Sequence, residues 1–339
     1  MVKFFMSFPP VSTLHELPFP PGSRLAVAFG VFDGMHRGHR RILSVLRELA
    51  DAVQGQAVAI TFEPHPKAVL SPDNAPPLLT PLPLKVELLE GAGVDAVVVM
   101  PFTRELAALT PEAFLNNGLL NSGFNLRAVC VGAGWRFGHL GRGDTALLRE
   151  FGHRHGFRVE AVPEVLADGG IISSTRIRTA VRQGRLELAA RLLGHPYVVE
   201  GPVVRGRGLA DAKLNCPTAN VDYAGQLLPP SGVYAVQAWP DPEQIQAGDA
   251  AASRGHAGIA YIGTGASLAA KLPPQVWLEC HLFDYDGKPL VGRRLRVEFL
   301  EFIRPDQNFP NVAALKTQIA QDLAAARTVA ATAPSRTVA

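Results

Sequence analysis

Through the first half of the chain, short unbroken apolar runs alternate with stretches of helical spacing. Leu25 to Phe29, Gln56 to Phe62, Val94 to Met100, Arg127 to Val131 and Phe157 to Val162 read as strands buried on both faces. Ile42, Leu43, Val45, Leu46 and Leu49 line one side of a helix, and Leu84 to Glu90, Pro111 to Leu120 and Thr145 to His155 read as further helices. Strands that alternate with helices predict a parallel sheet with crossover helices, and ligands of such sheets collect at the carboxyl ends of the strands. The proline-rich residues 1–24 read as an extended lead-in.

One helix opens within Ile172 to Arg178 and runs to about Arg182, and another spans Leu186 to Leu193. After Gly194-His195-Pro196 the pattern changes. Tyr197 to Val204, Thr218 to Val221, Gly232 to Ala238, Ala257 to Gly263, Val276 to Phe283 and Leu295 to Arg304 are strand-like, with turn residues and no helical spacers between them. Six such segments predict a small antiparallel barrel. Val312, Leu315, Ile319 and Leu323 mark a terminal helix, with Pro305 and Pro310 ahead of it. The last twelve residues, TVAATAPSRTVA, read as disordered. The expected division is 1–185, 186–327 and a tail at 328–339.

At 339 residues the chain is long enough for two domains, each with its own core, and 47% hydrophobic with 19% charged residues describes a soluble globular protein. No apolar stretch reaches the ~18 residues that cross a bilayer, and MVKFFMSFPPVST lacks a signal-peptide core, so a cytoplasmic location is expected. A net charge of +3 is too small to imply a nucleic-acid surface. Cys130, Cys216 and Cys280, odd in number and widely separated in apolar contexts, argue for buried reduced thiols against a disulfide or zinc framework.

Candidate chemistry gathers in four places. Gly30-x-Phe32-Asp33-Gly34-x-His36-x-Gly38-His39 lies between a strand and a helix start, where unpaired N–H groups and the helix dipole favour an anion. Gly34 and Gly38 let the backbone approach such a ligand, and Glu63-Pro64-His65-Pro66 follows the second strand at the same end of the sheet. In Ile172-Ser173-Ser174-Thr175-Arg176-Ile177-Arg178 the hydroxyls can be plain N-caps, but two arginines in a first turn oppose the dipole unless an anion compensates them. In the barrel, Thr218 and Asn220 of Cys216-Pro217-Thr218-Ala219-Asn220 share a face. They suit Mg2+ completed by phosphate oxygens, or are two outward polar residues of a strand edge. Gly206-Arg207-Gly208 can cradle phosphates, and Glu279 is a carboxylate on a mostly apolar strand. Asp284 and Asp286 belong to a solvated turn.

The first pattern resembles the H-x-G-H signature of the nucleotidyltransferases, in the longer form of bacterial riboflavin kinase/FAD synthetases. The Ile172–Arg178 segment resembles that family's I-S-S-T-x-I-R, and Pro217 to Asn220 its kinase motif P-T-A-N; the likeness runs from about Arg24 to Arg327. It implies an α/β protein with a Rossmann-like nucleotidyltransferase domain and a riboflavin kinase barrel of six strands with a terminal helix. The barrel would phosphorylate riboflavin to FMN with ATP, and the first domain would join FMN to AMP from a second ATP, giving FAD and pyrophosphate. By this resemblance His36, His39 and Arg176 act in adenylyl transfer, and Glu279 is the kinase base. Gly30, Phe32, Asp33, Gly34, Gly38, Phe62, Pro64, His65, Ser173, Ser174, Thr175 and Arg178 bind nucleotide or flavin in the first domain. Gly206, Gly208, Thr218 and Asn220 do so in the second, with Thr218 and Asn220 holding Mg2+. The implied partners are riboflavin, FMN and ATP, with no nucleic acid or membrane, in a monomer or weak homo-oligomer. This chain departs from the pattern at Gly134, where relatives carry Asp or Asn, at Asp211-Ala212 and Asn215-Cys216, and at Tyr261, which replaces an Asn; the loop from Gly206 to Pro217 is one residue longer.

Overall fold

The computed structural model describes residues 9–205, 218–244, 255–263, 276–285 and 289–332. They form two compact units, one of residues 1–78 with 82–174 and one of 79–81 with 175–339.

The first unit is a five-stranded parallel sheet in the order β3-β2-β1-β4-β5, made of β1 (Arg24–Phe29), β2 (Gln56–Glu63), β3 (Ala96–Pro101), β4 (Asn125–Gly132) and β5 (Arg158–Val162). Alternation along these strands sorts side chains by size. Leu25, Val27 and Phe29 join Val58, Ile60 and Phe62 in one core, whereas Ala26, Ala28, Ala57, Ala59 and Ala128 lie on the other face under α1 (Arg37–Ala52). Small residues there let α1 approach the sheet closely. The Cys130 thiol meets the Ile42 carbonyl at 3.5 Å, and Leu43, Leu46 and Leu49 are buried, each worth about 1.5 to 3 kcal/mol. The chain lays β2 and β3 on one side of β1 and then β4 and β5 on the other, so the strand order reverses at β1, and ligands of such sheets bind at the carboxyl end of that switch point.

The helices α2 (Pro66–Leu70), α3 (Leu82–Glu90), α4 (Arg104–Ala108), α5 (Pro111–Gly118) and α6 (Thr145–His155) link the strands. The sequence pattern did not anticipate α2, α4 or the ribbon of β6 (Leu166–Ala167) and β7 (Gly170–Ile171), which are too short to display a period. Val11, in the extended lead-in, makes a parallel bridge to Val98 and so covers the edge of β3.

The second unit holds α7 (Ser174–Arg182), whose first residue is counted with the first unit, and α8 (Leu186–Leu193). It also holds a closed antiparallel barrel of β8 (Val198–Val204), β9 (Ala219–Val221), β10 (Gly232–Pro240), β11 (His256–Gly263), β12 (Trp277–Leu282) and β13 (Arg294–Pro305). Closure removes the open edges that six short strands would otherwise present.

The terminal helix α9 (Val312–Thr332) packs on β10, β11 and β13. It continues five residues into the stretch expected to be disordered, because its inward stripe continues: Leu323, Ala326 and Val329 join Ala235 and Phe283. Val312, expected on that stripe, is instead exposed. Residues 333–339 lie outside the described residues.

Asp322 of α9 is buried and takes Nε and Nη2 of Arg304 at 2.9 and 2.8 Å. Asp322→Ala strands that guanidinium at the helix–barrel seam and is expected to cost about 3 kcal/mol in denaturant unfolding. Asp284→Ala removes an ion pair to Arg327 whose carboxylate is 82% exposed and should leave the midpoint unchanged.

Candidate active sites

The β1–α1 turn is built from positions that force one another. A Cβ on Gly30 would meet the Phe32 ring at 2.7 Å, so glycine is required where that ring folds back over the chain. Phe32 and Met35 hold φ of +51° and +39°, and both side chains are fully buried. Thr61 of β2 donates its hydroxyl to the Val31 carbonyl at 3.0 Å and ties the turn to the sheet.

His36 is the N-cap of α1, and its Nδ1 accepts the His39 backbone N–H at 3.2 Å. The proton of a neutral His36 therefore sits on Nε2. The His36 and His39 rings stack 3.6 Å apart at 17°, and a Cβ on Gly38 would crowd the His36 ring at 3.1 Å. Burial pushes His36 down to about 4 from its ordinary 6.5. His39 is held well below the same value, by burial first and then by the charges of His36 and Lys85. Both rings are neutral near pH 7, and His39 Nδ1 is buried without a hydrogen-bond partner.

Lys85 was not singled out from sequence. It belongs to the buried stripe of α3, with Nζ 3.4 Å from the Phe62 carbonyl and 3.6 Å from the Glu63 carboxylate. The signal was present, since helical spacing sets Lys85 between Leu82 and Leu89 on the apolar side. Of the other residues expected after β2, Phe62 is buried edge-on against Phe102, Pro64 is exposed, and His65 caps α2 by accepting the Lys67 N–H at 3.1 Å.

Ser174, in the Ile172–Arg178 segment, meets the turn. The Ser174 hydroxyl donates to the Asp33 carbonyl at 2.8 Å, so this group secures the loop. Asp33 itself is buried. Ser173 is half-buried and Thr175 exposed; Arg176 is half-buried and Arg178 buried in the first turns of α7. Gly134 is exposed and open, beside Trp135, which stacks on Phe137 at 4.5 Å and on Phe29 at 5.3 Å.

In the barrel, Asn220 of β9 pairs with Glu279 of β12, and Glu279 pairs with Tyr261 of β11. The flanking rows Ala219–Cys280–Ala260 and Val221–Leu278–Ile262 are buried, so Asn220, Glu279 and Tyr261 form one row on the opposite face. The Tyr261 ring lies over Gly263 and its hydroxyl donates to Asp306 at 3.0 Å. Burial, then Asp306, then Glu279 push its pKa up. Thr218 stands one residue ahead of β9 and is half-buried, so its shared direction with Asn220 rests on the very end of the strand. Gly206, Gly208, Asp211, Ala212, Asn215, Cys216, Pro217 and Asp286 lie outside the described residues. Burial raises the thiols of Cys130 and Cys280 to about 12, which keeps them protonated. Among the described residues no three His, Cys, Asp or Glu side chains gather as a metal cluster. The hydroxyl and amide oxygens of Thr218 and Asn220 fit a hard cation that phosphate oxygens complete.

Comparison with known proteins supports the same two halves. A family model described as FAD synthetase matches residues 21–176, and one described as riboflavin kinase matches residues 193–330. The bifunctional riboflavin kinase/FMN adenylyltransferase of Pseudomonas fluorescens is 37% identical over 95% of this chain and 97% of its own length. The protein of the same name from Escherichia coli K12 is 36% identical over 93% and 95%. A solved structure titled macrolide-efflux protein, from Streptococcus pneumoniae, aligns with a TM-score of 0.77 and 25% identity over 97% of this chain and 99% of that one. Among the described residues no helix is long and apolar enough to cross a membrane. With its FAD synthetase part ahead of its riboflavin kinase part, the chain belongs to the family of bifunctional riboflavin kinase/FMN adenylyltransferases.

Proposed function

We propose that the His36/His39 turn carries adenylyl transfer and the Asn220–Glu279 row carries phosphoryl transfer, within domains 1–185 and 186–327. The observation that carries the first assignment is the stacked, neutral histidine pair at the start of α1, with the His36 Nε2–H left as the donor. Riboflavin is phosphorylated to FMN by the second domain, and FMN is adenylylated to FAD by the first.

In the first step the riboflavin 5′-hydroxyl attacks the γ-phosphorus of ATP, its proton passes to Glu279, and ADP leaves. Thr218 and Asn220 would hold a Mg2+ ion together with phosphate oxygens, and it would supply charge neutralisation on the triphosphate. In the second step an FMN phosphate oxygen attacks the α-phosphorus of a second ATP and pyrophosphate leaves. Neutral His36 and His39 donate hydrogen bonds to phosphate oxygens as charge shifts, and Arg176 and Arg178 neutralise the departing pyrophosphate. The need for ATP and riboflavin fits a cytoplasmic enzyme.

His36→Ala or His39→Ala should slow FAD formation by roughly 100-fold or more, the usual cost of one preorganised donor, and leave FMN formation at the parent rate. Chromatography of flavin products over time reads both activities at once.

Glu279→Gln should abolish FMN formation and spare adenylylation of added FMN, because glutamine keeps the size and cannot accept the proton. Thr218→Ala should give a kinase defect partly relieved by more Mg-ATP. Normal phosphorylation by Glu279→Gln would sink the assignment of the base.

The low pKa of His36 also gives acid sensitivity with a definite sign. Folded His36 titrates near about 4 and the unfolded residue near 6.5, so its contribution is complete above 6.5 and is lost as pH falls toward 4, by about 3 kcal/mol at most. Hydrogen exchange of the α1 amides should accelerate across that window in the parent and less so in His36→Ala.

A further inference from the structure

Lys85 occupies a position that its partners in the fold only half satisfy. It is 4% exposed on the inner stripe of α3, where an ammonium with three donors must find oxygens to replace water. Among the described residues its partners are the Phe62 carbonyl at 3.4 Å and the Glu63 carboxylate at 3.6 Å, both beyond the roughly 2.7–2.9 Å of a good charged hydrogen bond. The Glu63 side chain is 35% exposed, so water screens its attraction.

Burial draws the Lys85 pKa down, and Glu63 and then Asp33 push it back. The same charge lowers His39, so the ammonium lies within electrostatic reach of the histidine pair. Phe62 and Glu63 end β2, and Asp33 and His39 follow β1, so Lys85 stands at the carboxyl ends of the two strands whose loops make the site. Both substrates and the leaving group of the step carried out there are phosphates. A lysine is a compact point charge that can turn from a long ion pair to a phosphate oxygen without moving its helix.

We propose that Lys85 is a substrate-binding residue of the adenylyl-transfer site, its ammonium taking a phosphate oxygen of FMN or of ATP while Glu63 is its partner in the empty site. This rests on the assignment of the histidine turn to adenylyl transfer.

The test uses full-length Lys85→Met, Lys85→Arg and Glu63→Gln, with His36→Ala as control, reading FAD synthesis at varied FMN and varied ATP alongside riboflavin phosphorylation. Lys85→Met should lower kcat/KM for adenylylation by about tenfold or more with the kinase rate unchanged, and Lys85→Arg should recover part of the loss. A rise confined to the FMN KM assigns the ammonium to the FMN phosphate, and one confined to the ATP KM assigns it to the triphosphate. Glu63→Gln frees the ammonium and should lower the KM of that same substrate, a readout that stands even if Lys85→Met does not fold. Parent-like KM and kcat in Lys85→Met and Glu63→Gln, with only a lowered Tm, overturn the proposal and leave Lys85 a structural ion pair. Parent-like FAD synthesis in His36→Ala overturns the site assignment beneath it.

Discussion

The turn from Gly30 to His36 passes through backbone conformations that side-chain-bearing residues avoid, and the candidate N-terminal site depends on that turn being held. Positive φ at Phe32 and Met35 costs about 1 to 3 kcal/mol each. Full burial of both side chains offsets it, since a relaxed turn would bring an aromatic ring and a thioether back into water. Bare Gly30 makes room for the ring, Thr61 holds the backbone at Val31, and Ser174 holds it at Asp33. His36 can then cap α1 through Nδ1, which leaves Nε2 as its donor.

This arrangement also explains why both imidazoles are neutral. The alanine face of the sheet draws α1 inward, and the start of the helix goes with it. Rings at that depth lose hydration, and with it their charge. A neutral imidazole with one nitrogen committed has a single tautomer and a single direction in which to donate, which suits a reaction that needs positioning and charge stabilisation without a covalent intermediate.

The barrel achieves its alignment differently. Antiparallel register sets Asn220, Glu279 and Tyr261 side by side on three strands, while the alternate residues fill buried rows. A one-residue slip would send all three to the other face, so burial of Ala219, Cys280, Ala260 and their neighbours fixes the site's geometry. Tyr261 joins this row beside Glu279 and reaches Asp306. The packing of α9 on the barrel rests on the Arg304–Asp322 pair and on a stripe that extends to Val329.

Much of this was legible in the chain. Continuous β-branched runs alternating with amphipathic stretches determined a parallel sheet, and turn-separated strands without helices determined a barrel, because the pattern of burial is written in residue type. The motifs determined which chemistry to look for, since histidines at a helix start and polar residues amid apolar strands are costly unless used. Sequence spacing could not show that Ser174 reaches a carbonyl 141 positions away, nor that Lys85 ends beside Glu63. It could not show that the last helix continues to Thr332, because only the barrel surface makes Val329 an inward residue. Local pattern reports what a residue prefers, and tertiary packing decides what it meets: the pKa of His36, the tautomer it adopts and the partner of a buried ammonium are properties of neighbours brought together by the fold.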